Sequence, residues 1–355
     1  DLHSFPTRRS SDLHIESYVT GTISAFTEWT LTLPKDLSIT AGVGLSTMNI
    51  DLNDRFVRPG LTRPKHFKKK YDDMISPHVA INKVFSKELS VYASYSKGYK
   101  APVSSYFFVP VSASSAFVDS TLKPEIGNQF EVGSKGSLFR DKVQYQLAFF
   151  HAVFSDKMTA VAVPLDPPAV GTAYSYVANG GKQVHNGIEA SVKYTAYESS
   201  SGFFRLIRPF GNLTYSKFEY EDYSIKRLKN PATSDTTINY SGKPVAGVAP
   251  FMANLGVDVL VTAGFYFNLI FSYKDGMPIT SDNLYRTAAY NLLNAKIGIQ
   301  QHFARHFDID AFFGVSNITE VQYPLMIFVN QLPDAYLPAP LKATYFGGIN
   351  LKYNF

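Results

Sequence analysis

The residues that could do chemistry in this 355-residue chain are narrowed first by what is missing. There is no cysteine, which removes disulfide scaffolds, thiolate metal sites and cysteine nucleophiles together. That absence also suits a compartment where a stray thiol would be oxidised. None of the eight histidines stands in an H-E-x-x-H zinc signature, and no G-x-S-x-G elbow, P-loop or dinucleotide fingerprint occurs. Asp72, Asp73 and His78 are the one grouping suggestive of hydrolysis, but two acids in a basic stretch balance charge more simply. The chain is therefore expected not to be an enzyme, and to carry no resident cofactor or metal.

What remains is binding chemistry. Segment 51–73 holds Arg55, Arg58, Arg63, Lys65, His66, Lys68, Lys69 and Lys70, a cluster that would attract an anion if it lined a concave mouth. Lipid phosphates or plain solvation account for it equally well. Segment 99–124 carries Tyr106, Phe107, Phe108 and Phe117, rings that could stack on an aromatic ligand. Tyr285, Arg286, Tyr323 and Tyr336 are similar candidates, and His66, His151 and His185 could in principle approach a haem iron. Net charge is +5, from 34 basic and 29 acidic residues, too mild to call for nucleic acid.

The elements that must position these residues are strands. From His14 onward apolar and polar residues alternate strictly: Leu37, Ile39, Ala41, Val43 and Leu45 oppose Ser38, Thr40, Gly42, Gly44 and Ser46. The same holds for Phe265, Phe267, Leu269, Phe271 and Tyr273 against Asn268, Ser272 and Lys274. Successive side chains point to opposite faces of a strand, so each segment has one apolar and one polar face. About 13 strands are expected, near 15–33, 37–50, 74–85, 89–98, 125–138, 142–156, 173–197, 203–220, 248–262, 264–275, 288–300, 306–317 and 344–355. No run of apolar residues is long enough for a membrane helix, and a mean hydropathy of -0.08 is what alternating strands produce.

Connections alternate in length. Short turns fall at Pro34–Asp36, Ser86–Glu88, Phe139–Asp141, Glu198–Gly202, Thr262–Ala263 and Gln301–Arg305. Long loops occupy 51–73, 99–124, 157–172, 221–247, 276–287 and 318–343. Outer-membrane barrels have this asymmetry, with short periplasmic turns and long outer loops. The fold expected is therefore all-β, an antiparallel transmembrane β-barrel in the bacterial outer membrane. A passive channel and a secreted β-rich adhesion module are the other readings of such a pattern.

Segment Asp1–Leu13, DLHSFPTRRSSDL, resembles the translation of a sequencing adapter and is set aside, leaving 14–355 as one barrel portion. The absence of a leader then says nothing about location. The odd strand number suggests a truncated barrel, because single-chain bacterial barrels have even counts.

Four stretches carry a family resemblance. Val91-Tyr-Ala-Ser-Tyr-Ser-Lys-Gly-Tyr-Lys-Ala-Pro102 enters a loop, and Leu122-Lys-Pro-Glu-Ile-Gly-Asn-Gln-Phe-Glu-Val-Gly-Ser-Lys135 leaves one. Tyr176-Val-Ala-Asn-Gly-Gly-Lys182 continues through His185-Asn-Gly-Ile-Glu189, and Gly314-Val-Ser-Asn-Ile-Thr-Glu-Val-Gln-Tyr323 precedes the last long loop. Together with an alternating last strand ending in Phe355, they resemble the C-terminal part of the TonB-dependent outer-membrane receptors. The resemblance implies a 22-stranded barrel closed by an N-terminal plug, of which about 13 strands are present here and the plug is not. It implies a ferric siderophore or similar chelate as cargo, with haem, cobalamin and glycans as other possibilities. It implies energy supplied by the TonB system through a region N-terminal to this chain, and contact with outer-membrane lipid and lipopolysaccharide. Phe355 would be read by the barrel assembly machinery. Glu131 and Lys135, with Glu189 and Lys193, share strand faces and are expected to line the lumen as wall residues rather than touch cargo.

Overall fold

The computed structural model describes residues 16–54, 65–112, 115–164, 172–227, 236–303, 306–331 and 335–354. Thirteen strands lie side by side in chain order, each antiparallel to the next. They are β1 (Glu16–Leu33), β2 (Leu37–Asp54), β3 (His66–Val84), β4 (Ser90–Lys100), β5 (Glu125–Leu138), β6 (Val143–Ser155) and β7 (Lys182–Tyr194). Then follow β8 (Phe204–Glu221), β9 (Phe251–Val261), β10 (Phe265–Lys274), β11 (Tyr290–Phe303), β12 (Phe307–Ser316) and β13 (Thr344–Tyr353). The two-residue strand Tyr197–Glu198 also pairs with β8. β1 and β13 are the two edges of the sheet.

Register turns the alternation into two faces. Leu255 lies opposite Phe271, Phe271 opposite Leu293, and Ile297 opposite Phe313, so apolar residues stack across strands on the outer face. Ile23, Trp29, Leu255 and Ile349 are 72%, 65%, 61% and 71% exposed, which means no protein core covers that face. In the outer membrane that face meets lipid. Phe85, Phe139, Phe203 and Phe303 are exposed at the short-turn end, where a barrel's aromatic girdle belongs. The opposite face carries Tyr92, Glu131, Glu189, Asp258 and Lys296 and lines the lumen. Among the described residues, no helix is long and apolar enough to cross a membrane.

The turns obey local sterics. Lys35 and Asp36 have φ of 66° and 57°, and Phe139, Arg140 and Asp141 have φ of 55°, 57° and 67°. Tight reversals impose this left-handed backbone on whatever residues they contain.

Strand extents differ from the sequence expectation in two places. Much of the expected loop 51–73 is strand, because β2 runs to Asp54 and β3 begins at His66. Alternation continues there with its sense reversed, the apolar residues passing from the outer to the inner side: Met48, Ile50 and Leu52 are buried while Asn49, Asp51 and Asn53 face away. The single strand expected at 173–197 is two elements. Thr172–Asn179 pairs with Met158–Pro164 in a hairpin within the outer loops, and β7 starts after Gly180-Gly181. A Cβ at Gly181 would lie 1.7 Å from the Asp222 carbonyl oxygen, so only glycine fits where the chain passes from hairpin to wall.

Three more hairpins stand on the long connections: Phe108–Ser112 with Ser115–Val118, Ser224–Arg227 with Thr236–Asn239, and Pro324–Ile327 with Tyr336–Pro338. The buried clusters lie at this end, built from strand tops and loops rather than from the sheet alone.

Candidate ligand-capture site: lumen wall and outer loops

The lumen wall is held by short polar contacts between neighbouring strands. The Tyr92 hydroxyl donates to Glu131 Oε1 at 2.7 Å, and Gln129 donates to the other Glu131 oxygen at 3.3 Å. Arg208 pairs with Asp258 at 3.0 Å, and Asn268 donates to the same carboxylate at 2.7 Å. Tyr266 donates to Asp310 at 3.0 Å, and the Lys296 ammonium lies over the Tyr266 and Phe312 rings at 5.3 and 5.4 Å. Glu131 and Lys135 on β5 share the lumen face with Glu189 and Lys193 on β7, as the register of both strands with β6 requires.

The motif glutamate Glu125 begins β5 with its side chain only 5% exposed. It is paired with Lys157 and accepts the Met158 amide at 3.4 Å. Asn179 clamps the same junction, accepting the Lys123 amide at 2.8 Å and donating to the Lys123 and Asp156 carbonyls. Burial is acceptable because each charge has a partner.

Sequence-derived candidates fall into separate places. Arg55, Arg58 and Arg63 lie outside the described residues. His66 and Lys68 both contact Asp51, at 2.9 and 3.0 Å, and Lys70 pairs with Asp72 at 2.9 Å. This part of the basic cluster is therefore neutralised on the β2–β3 surface, leaving less free charge than its composition suggests. Lys69 turns inward and donates to the Ser120 carbonyl.

Phe107 and Phe108 are 0% and 7% exposed. Phe107 packs with Met48, Ile50, Tyr71, Met74 and Leu122, and Tyr71 donates to the Leu122 carbonyl at 2.6 Å. These rings anchor the loop after β4 to the barrel wall, and their faces are already occupied. Tyr106 packs at the margin of that cluster and is partly exposed.

Tyr285 and Tyr336 are 52% and 54% exposed, on the loops after β10 and β12. Arg286 donates to the Gly276 carbonyl at 3.1 Å, and Tyr323 stacks on Tyr290 at 5.0 Å. The three histidines do not converge. His66 meets Asp51 above the wall, His151 contacts Asn186 at 2.7 Å on the outer face, and His185 stacks on Phe218 at 4.0 Å inside. Among the described residues, no group of three or more His, Asp or Glu could hold a metal ion.

Sequence reasoning passes over several features. Tyr220 and Tyr223 are buried with rings 4.4 Å apart, and Tyr240 lies 6.0 Å from Tyr220. Val109, Val161, Val163, Tyr176 and Val245 complete this buried cluster, which joins three loops over the lumen mouth. Burial pushes the Tyr223 phenol up to about 12. Tyr220 also contacts Ser281 Oγ at 3.1 Å, and Ser281 is held by Asn330 through two hydrogen bonds of 2.7 and 2.9 Å. The outer end of β8 and the loops after β10 and β12 are thereby fastened together. His302 and His306 stand four residues apart across a turn, and His302 pairs with Asp308 while His306 contacts the Asn354 carbonyl. Their shared spacing brings them to different partners.

A strand wall with a polar lumen and folded-over loops is a receptor architecture, and comparison with known proteins agrees. Residues 4–318 match the family described as TonB dependent receptor-like, beta-barrel. The ferric yersiniabactin uptake receptor FyuA from Yersinia pestis superposes with a TM-score of 0.60 at 18% identity, over 96% of this chain and 46% of that one. The ferric-catecholate import receptor Fiu from K12 E. coli gives 0.62 at 17%, over 96% and 45%. The ferric citrate transporter FecA in its unliganded form gives 0.68 at 13%, over 96% and 46%. The chain thus spans about half the length of these structures, and at such identities the likeness is one of fold. The chain belongs to the TonB-dependent receptor-like β-barrel family, transport receptors of the bacterial outer membrane rather than enzymes.

Proposed function

We propose that this chain forms the C-terminal wall and outer loops of a receptor that imports a ferric siderophore or related metal chelate. The observation that carries the reading is the family match over residues 4–318, joined to loops that fold over a polar lumen. Capture would occur at the mouth, where Tyr106, Tyr285, Arg286 and Tyr336 retain free surface; Arg55, Arg58 and Arg63, outside the described residues, are candidates by their charge alone. Phe107 and Phe108 would act by holding their loop in place, and His66 by its contact with Asp51. Glu131, Lys135, Glu189 and Lys193 would serve the lumen wall.

Transport would be energised by the TonB system through a region N-terminal to the barrel portion 14–355; the family match begins at residue 4 and does not separate 1–13 from the rest. The chain alone would then be inactive in transport. Lipopolysaccharide and lipid would surround the outer face, and the barrel assembly machinery would read the end at Phe355. The alternative is a passive channel. The loop clusters favour a gated mouth over an open one.

The test uses the chain refolded in detergent micelles, titrated with radio-iron-loaded catecholate, hydroxamate and carboxylate chelates, with haem, cobalamin and an oligosaccharide as comparators. Saturable binding of one iron chelate, weakened by Arg286→Ala or Tyr336→Ala, supports the reading. No binding of any chelate, together with source DNA that completes an even-stranded barrel without a plug, would make it a passive pore. Long-read sequencing of the source DNA across the His14 codon tests the domain boundary.

A further inference from the structure

Outward side chains of the last four strands stand in ranks set by the register. Phe265 faces Ile299, Ile299 faces Ala311, and Ala311 faces Ile349. One step nearer the outer loops, Ile297 faces Phe313 and Phe313 faces Gly347. Ala311 and Gly347 are therefore diagonal neighbours, two of the smallest residues meeting on a face otherwise built of large ones. They leave a hollow of about 650 Å³ in the lipid-facing surface, walled by Phe265, Ile297, Phe313 and Ile349. Every residue lining it is apolar or glycine.

The floor of the hollow is braced from the lumen side. The Phe312 ring lies over Gly348 and the Tyr266 ring over Gly298, where a Cβ would come within 2.9 and 2.4 Å of them. The Lys296 ammonium caps both rings. Packed in this way from behind, the backbone has no room to shift and close the hollow. A further strand beside β13 would extend the face without roofing it, because side chains stand perpendicular to a sheet. Two ranks further down lie Phe303, Phe307 and Tyr353, with the His306 ring stacked on Tyr353. The hollow thus sits in the half of the apolar band nearer the short turns, the periplasmic leaflet.

We propose that this hollow is a discrete lipid site holding one acyl chain of a periplasmic-leaflet phospholipid. It is continuous with the face that meets lipid, and its occupant must be apolar along its whole length. A polypeptide segment laid there would bring backbone polar groups that no lining side chain could satisfy. An acyl chain brings none. In the hollow it would touch protein on several sides, where the open sheet offers one, so it gains dispersion contacts that other lipid around the wall lacks. The site rests on the membrane placement of the strands and is independent of the cargo taken by the outer loops.

The chain's single tryptophan provides the comparison, since Trp29 points outward from β1, 65% exposed and away from the hollow. The test places the chain in maltoside micelles and titrates in phosphatidylethanolamine with brominated acyl chains, which quench a tryptophan they touch. The parent reports lipid on the open face, and Trp29→Phe/Phe265→Trp reports the hollow; Trp29→Phe/Ile349→Trp is a second reporter should the first fold poorly. Half-maximal quenching at the hollow is expected at a lipid fraction about fivefold or more below that for Trp29. Adding Ala311→Leu, which fills the hollow, is expected to remove that difference, while Ala253→Leu elsewhere on the outer face leaves it intact. Equal lipid dependence at the two tryptophans would overturn the proposal, as would tight quenching that survives Ala311→Leu. A hollow reporter shielded from added lipid, with a dimeric mass in light scattering that Ala311→Leu abolishes, would overturn it by assigning the hollow to a second copy of the chain.

Discussion

At Gly133 the lumen wall has no room for a methyl group. A Cβ there would stand 2.5 Å from the ring and hydroxyl of Tyr92, whose phenol donates to Glu131 two residues away in the chain. The glycine is thus a seat for a cross-strand ring, and the ring in turn fixes a lumen carboxylate. Gly133→Ala is expected to displace Tyr92 and cost about 1–3 kcal/mol. Urea unfolding in micelles, followed by circular dichroism, would measure it. Gly21→Ala, where nothing lies within 4 Å, should not destabilise and serves as the control. Glu125 makes a second residue-scale case. Glu125→Ala leaves Lys157 without its carboxylate and the Met158 amide without an acceptor, and Lys157 at 27% exposure regains only part of its hydration. The loss should be about 1–3 kcal/mol, confined to the junction with the 158–179 hairpin. Limited proteolysis should show faster cleavage in that hairpin while the barrel strands stay protected; unchanged cleavage would remove the clamp from the account.

Among the elements, the outer loops behave as the protein's core. The cluster around Tyr220 and Tyr223 takes residues from the loops after β4, β6 and β8, while Tyr220, Ser281 and Asn330 tie in two more. Its response to alkali follows from the Tyr223 phenol, held at about 12 mainly by burial. Because the folded-state value lies above the ordinary tyrosine value near 10, the neutral ring stabilises the closed cluster fully below about pH 10. That contribution falls as pH rises from there through about 12. The outer loops should therefore loosen in that window before the barrel wall does, and Tyr223→Phe should move the loosening upward. Near-UV circular dichroism across the alkaline range reads this directly. A variant that loosens at the same pH as the parent would place the alkaline response elsewhere. The element scale is also where the sequence is hardest to read. Charge in Lys68–Lys70 suggests a loop, yet β3 runs through it, since barrel strands continue past the membrane and alternate there between a packed and a hydrated face.

For the whole molecule the decisive feature is an apolar face with nothing covering it. Ile23, Leu255 and Ile349 point away from the lumen along strands that span the sheet from edge to edge. Apolar patches of that extent do not persist on soluble monomers. The chain is expected to precipitate on removal of detergent and to keep its strand content in micelles; a monodisperse species in plain buffer would contradict the membrane assignment. The edges β1 and β13 carry backbone groups that none of the described strands pairs, and in lipid each such group costs several kcal/mol. Both terms point the same way, toward a wall that works inside a larger closed barrel.

Much of this architecture is legible in the amino-acid sequence by itself. Alternation assigns Glu131, Lys135, Glu189 and Lys193 to one face each, and the rhythm of short turns and long loops orients the strands. Both are local properties: side-chain direction follows from the backbone of a single strand, and turns announce themselves within a few residues. Alternation cannot say that Phe107 is buried, that Asp51 answers His66 and Lys68, or that Asn330 reaches Ser281. Nor can it bring Ala311 beside Gly347. Those are meetings between segments far apart in the chain, set by how each strand's register and tilt carry its ends around the wall. Periodicity tells which side of the sheet a residue faces, and only the assembled sheet tells what it faces there.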